Sequence, residues 1–94
     1  MYRAEIIANQ SVQDDIIEVL EEYIPDILYT IVPLVHGRGG NDRKLGSTTW
    51  PETNFVLFTY VQDKDKSVVD SVLSAIKEKF PDEGIKLFWL RAED

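Results

Sequence analysis

Two amphipathic segments, each ended by a proline, divide the chain into alternating strand and helix. Apolar residues recur at helical spacing over 12–23, and Pro25 ends that pattern. A second recurrence runs over 69–80 and ends at Pro81. A helix rarely continues through proline, because the ring has no N–H to donate and clashes with the preceding turn. The spacing therefore predicts two helices, and the stretches around them must supply the strands.

Four stretches around these helices have the pattern of strands. They are 1–8, 27–35, 55–61 and 85–90. In the first, Tyr2 and alternate residues after it form an apolar face, while Arg3 begins a mixed face. The second is apolar on both faces apart from Thr30, as in a strand covered on two sides by helices or by other subunits. Pro33 places part of that strand at a sheet edge, a bulge or a bend.

The helix starts carry possible capping residues. Ser11 with Asp14 has the form of a capping box, and Asp63 or Asp65 can cap the second helix. The resulting order is strand, helix, strand, long loop, strand, helix, strand. This order predicts one α+β domain over 1–94, a ferredoxin-like βαββαβ sandwich with a mixed strand order and antiparallel pairing.

Composition excludes several classes of function. With 17 acidic against 10 basic residues the net charge is −7, which repels a nucleic-acid backbone, so we expect no nucleic-acid partner. The chain has no cysteine, so disulfides, thiolate metal sites and cysteine nucleophiles are excluded. No apolar run has the length of a signal peptide or a membrane span. We therefore expect a cytoplasmic protein without membrane insertion.

The loop 37–53 is the most unusual segment in this acidic chain. Closely spaced glycines let successive N–H groups turn toward one point, and basic side chains beside them neutralise phosphate or carboxylate, as in an anion nest. The residues that carry this prediction are Gly37, Arg38, Gly39, Gly40, Arg43 and Lys44. The alternative is a mobile hairpin loop whose glycines only permit turns and whose charges are solvated.

His36 is the one histidine and could ligate a metal ion if Asp42 or Glu52 completed the site. The alternative is a polar histidine at the end of a strand. The hydroxyls of residues 47–49 have no evident base besides His36, so the sequence does not predict an enzyme.

The two tryptophans have different environments in the sequence. Trp89 follows Phe88 in the last strand, which predicts a place in the core or in a subunit interface. Trp50 lies among polar residues, where it could anchor the loop on a neighbouring subunit or stack on a ligand.

The pattern resembles the PII nitrogen-regulatory superfamily of ferredoxin-like trimers, which carry a long T-loop between strands two and three. Gly37-Arg38 is similar to the glycine-x-glycine-arginine at the base of that loop. Glu83-Gly84 with Lys86 is similar to the end of the family's nucleotide-binding B-loop. The resemblance implies a homotrimer that holds an adenine nucleotide (ATP, ADP or AMP) or another small anion between subunits, with Gly37, Arg38, Lys86 and Arg91 as contacts. It also implies a regulated protein target, such as a membrane transporter or an enzyme.

The sequence also departs from the family. Gly39 stands where PII proteins have the glutamine that helps to hold magnesium and 2-oxoglutarate, and no tyrosine lies within 38–52 for uridylylation. The B-loop is shortened to 80–84. Trimers of the CutA type share the fold and are linked to divalent metal. We therefore expect a PII-like sensor of a small anion, with a metal-responsive trimer and a ligand-free interaction module as the alternatives.

Overall fold

In the computed structural model, which describes residues 1–37 and 53–94, strands and helices alternate as predicted. The elements are β1 (Tyr2–Asn9), α1 (Gln13–Tyr23), β2 (Tyr29–Val35), β3 (Asn54–Val61), α2 (Lys66–Lys79) and β4 (Ile85–Arg91). Short 3-10 turns lead into the two helices, at Gln10–Val12 and Asp63–Asp65.

The strands form one sheet in the order β2-β3-β1-β4, and all three pairings are antiparallel. This confirms the ferredoxin-like α+β prediction. Because β2 is an edge strand, Pro33 costs the sheet no interior hydrogen bond, and the pairing with β3 becomes irregular between Val32 and Val35. Most residues of β2 are exposed in the described part of this chain, so the helices do not cover it on two sides; its coverage by other subunits stays a prediction.

Both helices pack on one face of the sheet, and the core lies between these two layers. Along β1, Ala4, Ile6 and Ala8 are buried and form the part of this face that lies beneath the helices. Phe55 and Leu57 of β3 extend the same buried face. The helices contribute the apolar stripes that their spacing predicted: Ile16 and Leu20 from α1, and Val69, Val72, Leu73 and Ile76 from α2.

The predicted capping residues do not cap. The side chain of Asn9, not that of Ser11, accepts a hydrogen bond at the start of the first helical segment, from the Ser11 N–H at 2.9 Å. No side-chain cap bond is found at the N-terminus of α1 or α2, so neither Asp63 nor Asp65 has the predicted role. The 3-10 turns displace each helix start by a few residues, and the capping-box spacing no longer fits.

No helix within the described residues is both long enough and apolar enough to cross a membrane.

Leucines at buried and exposed positions give a direct test of this core. We expect Leu57→Ala to destabilise the domain by about 2–5 kcal/mol, because Leu57 is fully buried and its loss leaves a cavity. Leu28→Ala removes the same atoms from a side chain that is 83% exposed, and should change stability by less than about 0.5 kcal/mol. Urea denaturation at one protein concentration measures both; equal losses would contradict this core.

Candidate functional site

The end of the sheet where β2 and β3 meet the loop also contains the β1–α1 junction. The first N–H groups of any helical segment lack partners within the helix. Here the N–H of Asn9 donates to the Gly84 carbonyl at 3.0 Å, and that of Gln10 donates to the Thr53 carbonyl at 3.0 Å. The Gln10 side-chain amide also donates to the Pro33 carbonyl. Three separate segments are therefore hydrogen-bonded to one short turn.

His36 and Gly37 follow β2 at this end of the sheet, and both are exposed. Asn54 begins β3 and stands opposite Val35 on one side and Asn9 on the other. No glycine of the described residues has a positive φ angle. A Cβ added at Gly37 would lie 4.0 Å from the Asn54 amide nitrogen, which is an ordinary contact. Packing among the described residues therefore does not require glycine at position 37.

Lys86 and Arg91, the two candidate cations of β4, are far apart. Lys86 stands opposite Ile7 near the loop end, whereas Arg91 stands opposite Tyr2 at the other end of the sheet. Five residues of strand separate their Cα atoms by roughly 17 Å. Their side chains also point to opposite faces, because residues an odd number apart in a strand alternate. The structure brings Gly37 and Lys86 to the same end of the sheet and places Arg91 elsewhere.

Arg91 belongs to a group of aromatic and charged side chains at the helix-covered face. Its guanidinium lies 5.5 Å from the Tyr2 ring centre. Tyr2 and Trp89 meet edge to face at 6.0 Å, and the Trp89 indole N–H donates to Asp70 at 2.7 Å. Trp89 is partly buried and packs against the core, which confirms its predicted structural place. Lys66 adds a cation 4.8 Å from the Trp89 ring.

Most of the predicted anion contacts lie outside the described residues. These are Arg38, Gly39, Gly40, Arg43 and Lys44, together with the candidate metal ligands Asp42 and Glu52 and with Trp50. Within residues 1–37 and 53–94 there is no cluster of three histidine or acidic side chains that could hold a metal ion. In that part of the chain the metal hypothesis therefore depends on His36 alone.

The face of the sheet away from the helices is open in the described structure, and it is largely apolar. Strand registers align its side chains in rows across the sheet, for example Val32, Val56, Ile7 and Lys86. Four of the eight exposed large hydrophobic side chains of the described residues lie on it, namely Val32, Tyr60, Phe88 and Leu90. An apolar surface of this kind typically marks an interaction site.

Arg3 lies on this open face near the end of the sheet opposite the loop, and it is held by aromatic rings. Its guanidinium carbon is 4.2 Å from the Phe58 ring centre and 5.9 Å from that of Tyr60. One guanidinium nitrogen lies 3.4 Å from a Glu5 carboxylate oxygen, and both side chains are about one-third exposed. The arginine is thus flattened on the sheet, and its charge is partly balanced by Glu5.

A cavity of about 190 Å³ lies at the end of the sheet opposite the loop. Its walls come from the turn between α1 and β2 and from the end of β3, including Asp26, Leu28 and Tyr60. Pockets for drug-sized ligands usually measure about 300–1,000 Å³. This cavity alone is too small for a nucleotide.

Comparison with known proteins identifies the fold. No family model matches the sequence, and no curated protein does. Among solved structures, the chain is similar to CPII, a nitrogen regulatory PII-like protein from Thiomonas intermedia K12. With CPII bound to ADP, AMP and bicarbonate the TM-score is 0.67 at 13% identity, over 97% of this chain and 86% of that one.

Two further solved structures are similar to this chain. CPII bound to ADP and bicarbonate gives a TM-score of 0.68 at 14% identity, over 97% of this chain and 86% of that one. A protein from Thermus thermophilus, assigned as a PII-like signalling protein, gives 0.58 at 22% identity, over 95% of this chain and 83% of that one. The chain therefore has the ferredoxin-like α+β fold. More narrowly, it has the fold of the PII-like proteins, and the resemblance seen in the sequence is confirmed at that level.

Sequence reasoning missed the β1–α1 junction and the arginine of the open face. Asn9 and Gln10 precede a helix and therefore have the composition of an ordinary cap. Only the tertiary structure shows that their donors reach Gly84, Thr53 and Pro33. In the sequence Arg3 belongs to a mixed strand face, but its stacking on Phe58 depends on which strand lies beside β1.

The two described glycines near this end of the sheet can be tested for a structural role. Gly37→Ala and Gly84→Ala should each leave the free energy of unfolding unchanged or raise it by up to about 1 kcal/mol, because alanine restricts the unfolded chain. Both positions have room for a Cβ, and neither has a positive φ angle. Urea denaturation is the measurement, and a loss of more than about 1 kcal/mol at either site would contradict the geometry.

Proposed function

We propose that this protein is a PII-like signalling protein: a homotrimer that senses a small anion, such as ATP, ADP or AMP, and adjusts the activity of a protein target. The observation that carries the proposal is the similarity to CPII along almost the whole chain, since CPII has been solved with ADP, AMP and bicarbonate. All of these ligands are anions. In this view the protein is cytoplasmic and has no catalytic role, and its target is a membrane transporter or an enzyme.

The arrangement of charge supports an anion at the loop end of the sheet. Lys86 is exposed there on one edge strand, β4, and Gly37 follows the opposite edge strand, β2. The first 37 residues contain a single arginine or lysine, Arg3, which is engaged by Phe58 and Glu5. An anion at this end would therefore recruit Lys86 and the loop cations in preference to Arg3. Binding would hold the loop in one arrangement and so change the surface offered to the target.

The open face of the sheet supports self-association. A domain of 94 residues buries only a modest share of its surface, so its core contributes little stability. An apolar sheet face exposed to water is a further unfavourable contribution. Three copies that cover these faces in a closed ring would remove the apolar surface from water. Within one chain Lys86 and Arg91 lie at opposite ends of the sheet, so a site that uses both needs Arg91 from a second subunit. We therefore propose that the anion site is shared between subunits.

Calorimetry with ATP, ADP, AMP and bicarbonate tests the anion site on the full chain. We expect at least one to bind, and we expect Lys86→Ala to weaken that binding by about ten- to a hundredfold, as for the loss of a charged hydrogen bond. Lys77→Ala, which removes an exposed lysine from the last turn of α2, is the matched control and should bind like the wild type. If the folded protein binds none of the four, the anion proposal is wrong.

Two substitutions separate the anion proposal from the metal-responsive alternative. Arg38→Ala should weaken anion binding more than His36→Ala does, because the proposal gives the Arg38 guanidinium the contact with the anion. The metal hypothesis expects His36→Ala to abolish binding of copper or zinc instead. Titration of both variants with ADP and with zinc decides between them.

The subunit interface has its own test. Analytical ultracentrifugation of the wild type should give three times the chain mass of 10.8 kDa. Phe88→Asp places a charge on the open face and should shift the protein to monomers, because a carboxylate is costly to bury without a partner. Tyr23→Asp makes a similar change at an exposed aromatic residue of α1 and should remain trimeric. A monomeric wild type, or dissociation of both variants alike, would contradict the proposed interface.

A further inference from the structure

The short turn Asn9-Gln10-Ser11 is where the segments around the candidate site are joined. At this turn three successive backbone N–H groups have no partner within a helix. They donate to the Gly84 carbonyl, the Thr53 carbonyl and the Asn9 side chain, at 3.0, 3.0 and 2.9 Å. The turn that precedes β4 and the residue that precedes β3 are therefore both held by the start of the first helical segment.

Gln10 is the one residue of this turn that contacts both sides of the loop. Its backbone N–H donates to Thr53, just before β3, and its side-chain amide donates to Pro33, near the end of β2. Pro33 lies where the pairing between β2 and β3 becomes irregular, so fewer ladder hydrogen bonds hold the end of β2 there. A side-chain donor that reaches this carbonyl supplies a tether that the sheet itself does not.

We propose that Gln10 is a positioning residue, which holds the end of β2 at a defined place relative to β3 and so sets the geometry of His36 and Gly37. Asn9, the preceding residue, bonds to Gly84, so the same turn also fixes the segment that leads to Lys86. A shift of either segment is transmitted to the other through two adjacent backbone amides. This second part rests on the proposed function, since it concerns the residues that would contact the anion.

Amide hydrogen exchange on the full chain without ligand tests the tether. Gln10→Met keeps the length of the side chain and the backbone N–H but removes the donor to Pro33. We expect the amides of residues 34–37 to exchange about two- to tenfold faster, as for the loss of one neutral hydrogen bond, while those of Ile6 and Leu57 stay protected. Gln10→Glu also lacks the donor and should behave in the same way. Gln10→Lys restores a donor and should recover most of the protection.

Gln62→Met is the matched control, because Gln62 is an exposed glutamine whose side chain makes no cap bond. It should leave the exchange of residues 34–37 unchanged. The inference is overturned if Gln10→Met exchanges like the wild type, or if Gln62→Met accelerates the same amides. Equal loss of protection at Ile6 and Leu57 would overturn it too, because the effect would then be general unfolding.

A second measurement links the tether to the site. Where calorimetry finds an anion that binds the wild type, Gln10→Met should weaken its binding by up to about tenfold, and Gln10→Lys should restore it. Unchanged affinity would overturn the part of the inference that concerns the site. If the wild type binds no anion, the proposed function fails, yet the exchange experiment still decides whether Gln10 positions the end of β2.

Discussion

The pairing of β1 with β3 on one side and with β4 on the other is the constraint on which the rest of this structure depends. β1 lies between β3 and β4 in the sheet. The alternation of its side chains decides which face of the sheet is apolar enough to be covered by the helices. One face of β1 is buried in the core beneath both helices, through Ala4, Ile6 and Ala8. The residues between them necessarily point to the other face, which the helices do not reach.

One face of the sheet thus contributes to the stability of the domain, and the other is available for contacts with other molecules. The core lies on the helix side and includes the long buried side chains of both helices. The other side presents apolar rows, and an arginine, Arg3, is stacked on Phe58 toward the end opposite the loop. An apolar sheet face of this kind is more stable against another protein surface than against water. In the proposed trimer, other copies of the chain supply that surface. The anion site and the interface are then connected, since both involve β4.

At the loop end of the sheet, hydrogen bonds from the start of the first helical segment connect several parts of the chain. A helical segment always begins with N–H groups that it cannot satisfy itself. In this chain the backbone N–H groups of Asn9 and Gln10 donate to the carbonyls of Gly84 and Thr53, and the Gln10 side-chain amide donates to the Pro33 carbonyl. The turn before α1 is therefore hydrogen-bonded to the strands on both sides of the loop, although the sequence near Gln10 carries no sign of function.

The sequence by itself determined the elements, their order and the α+β class, because helical and strand periodicities are local and the prolines at 25 and 81 end each helix cleanly. It also predicted that Pro33 lies at an edge, a bulge or a bend, and Pro33 lies in the edge strand β2 where the register shifts. It did not determine the caps, since 3-10 turns of three residues moved each helix start. Only the tertiary structure decided that Gly37 and Lys86 share one end of the sheet while Arg91 lies at the other. That result depends on strand order and register, which arise from contacts between residues far apart in the chain.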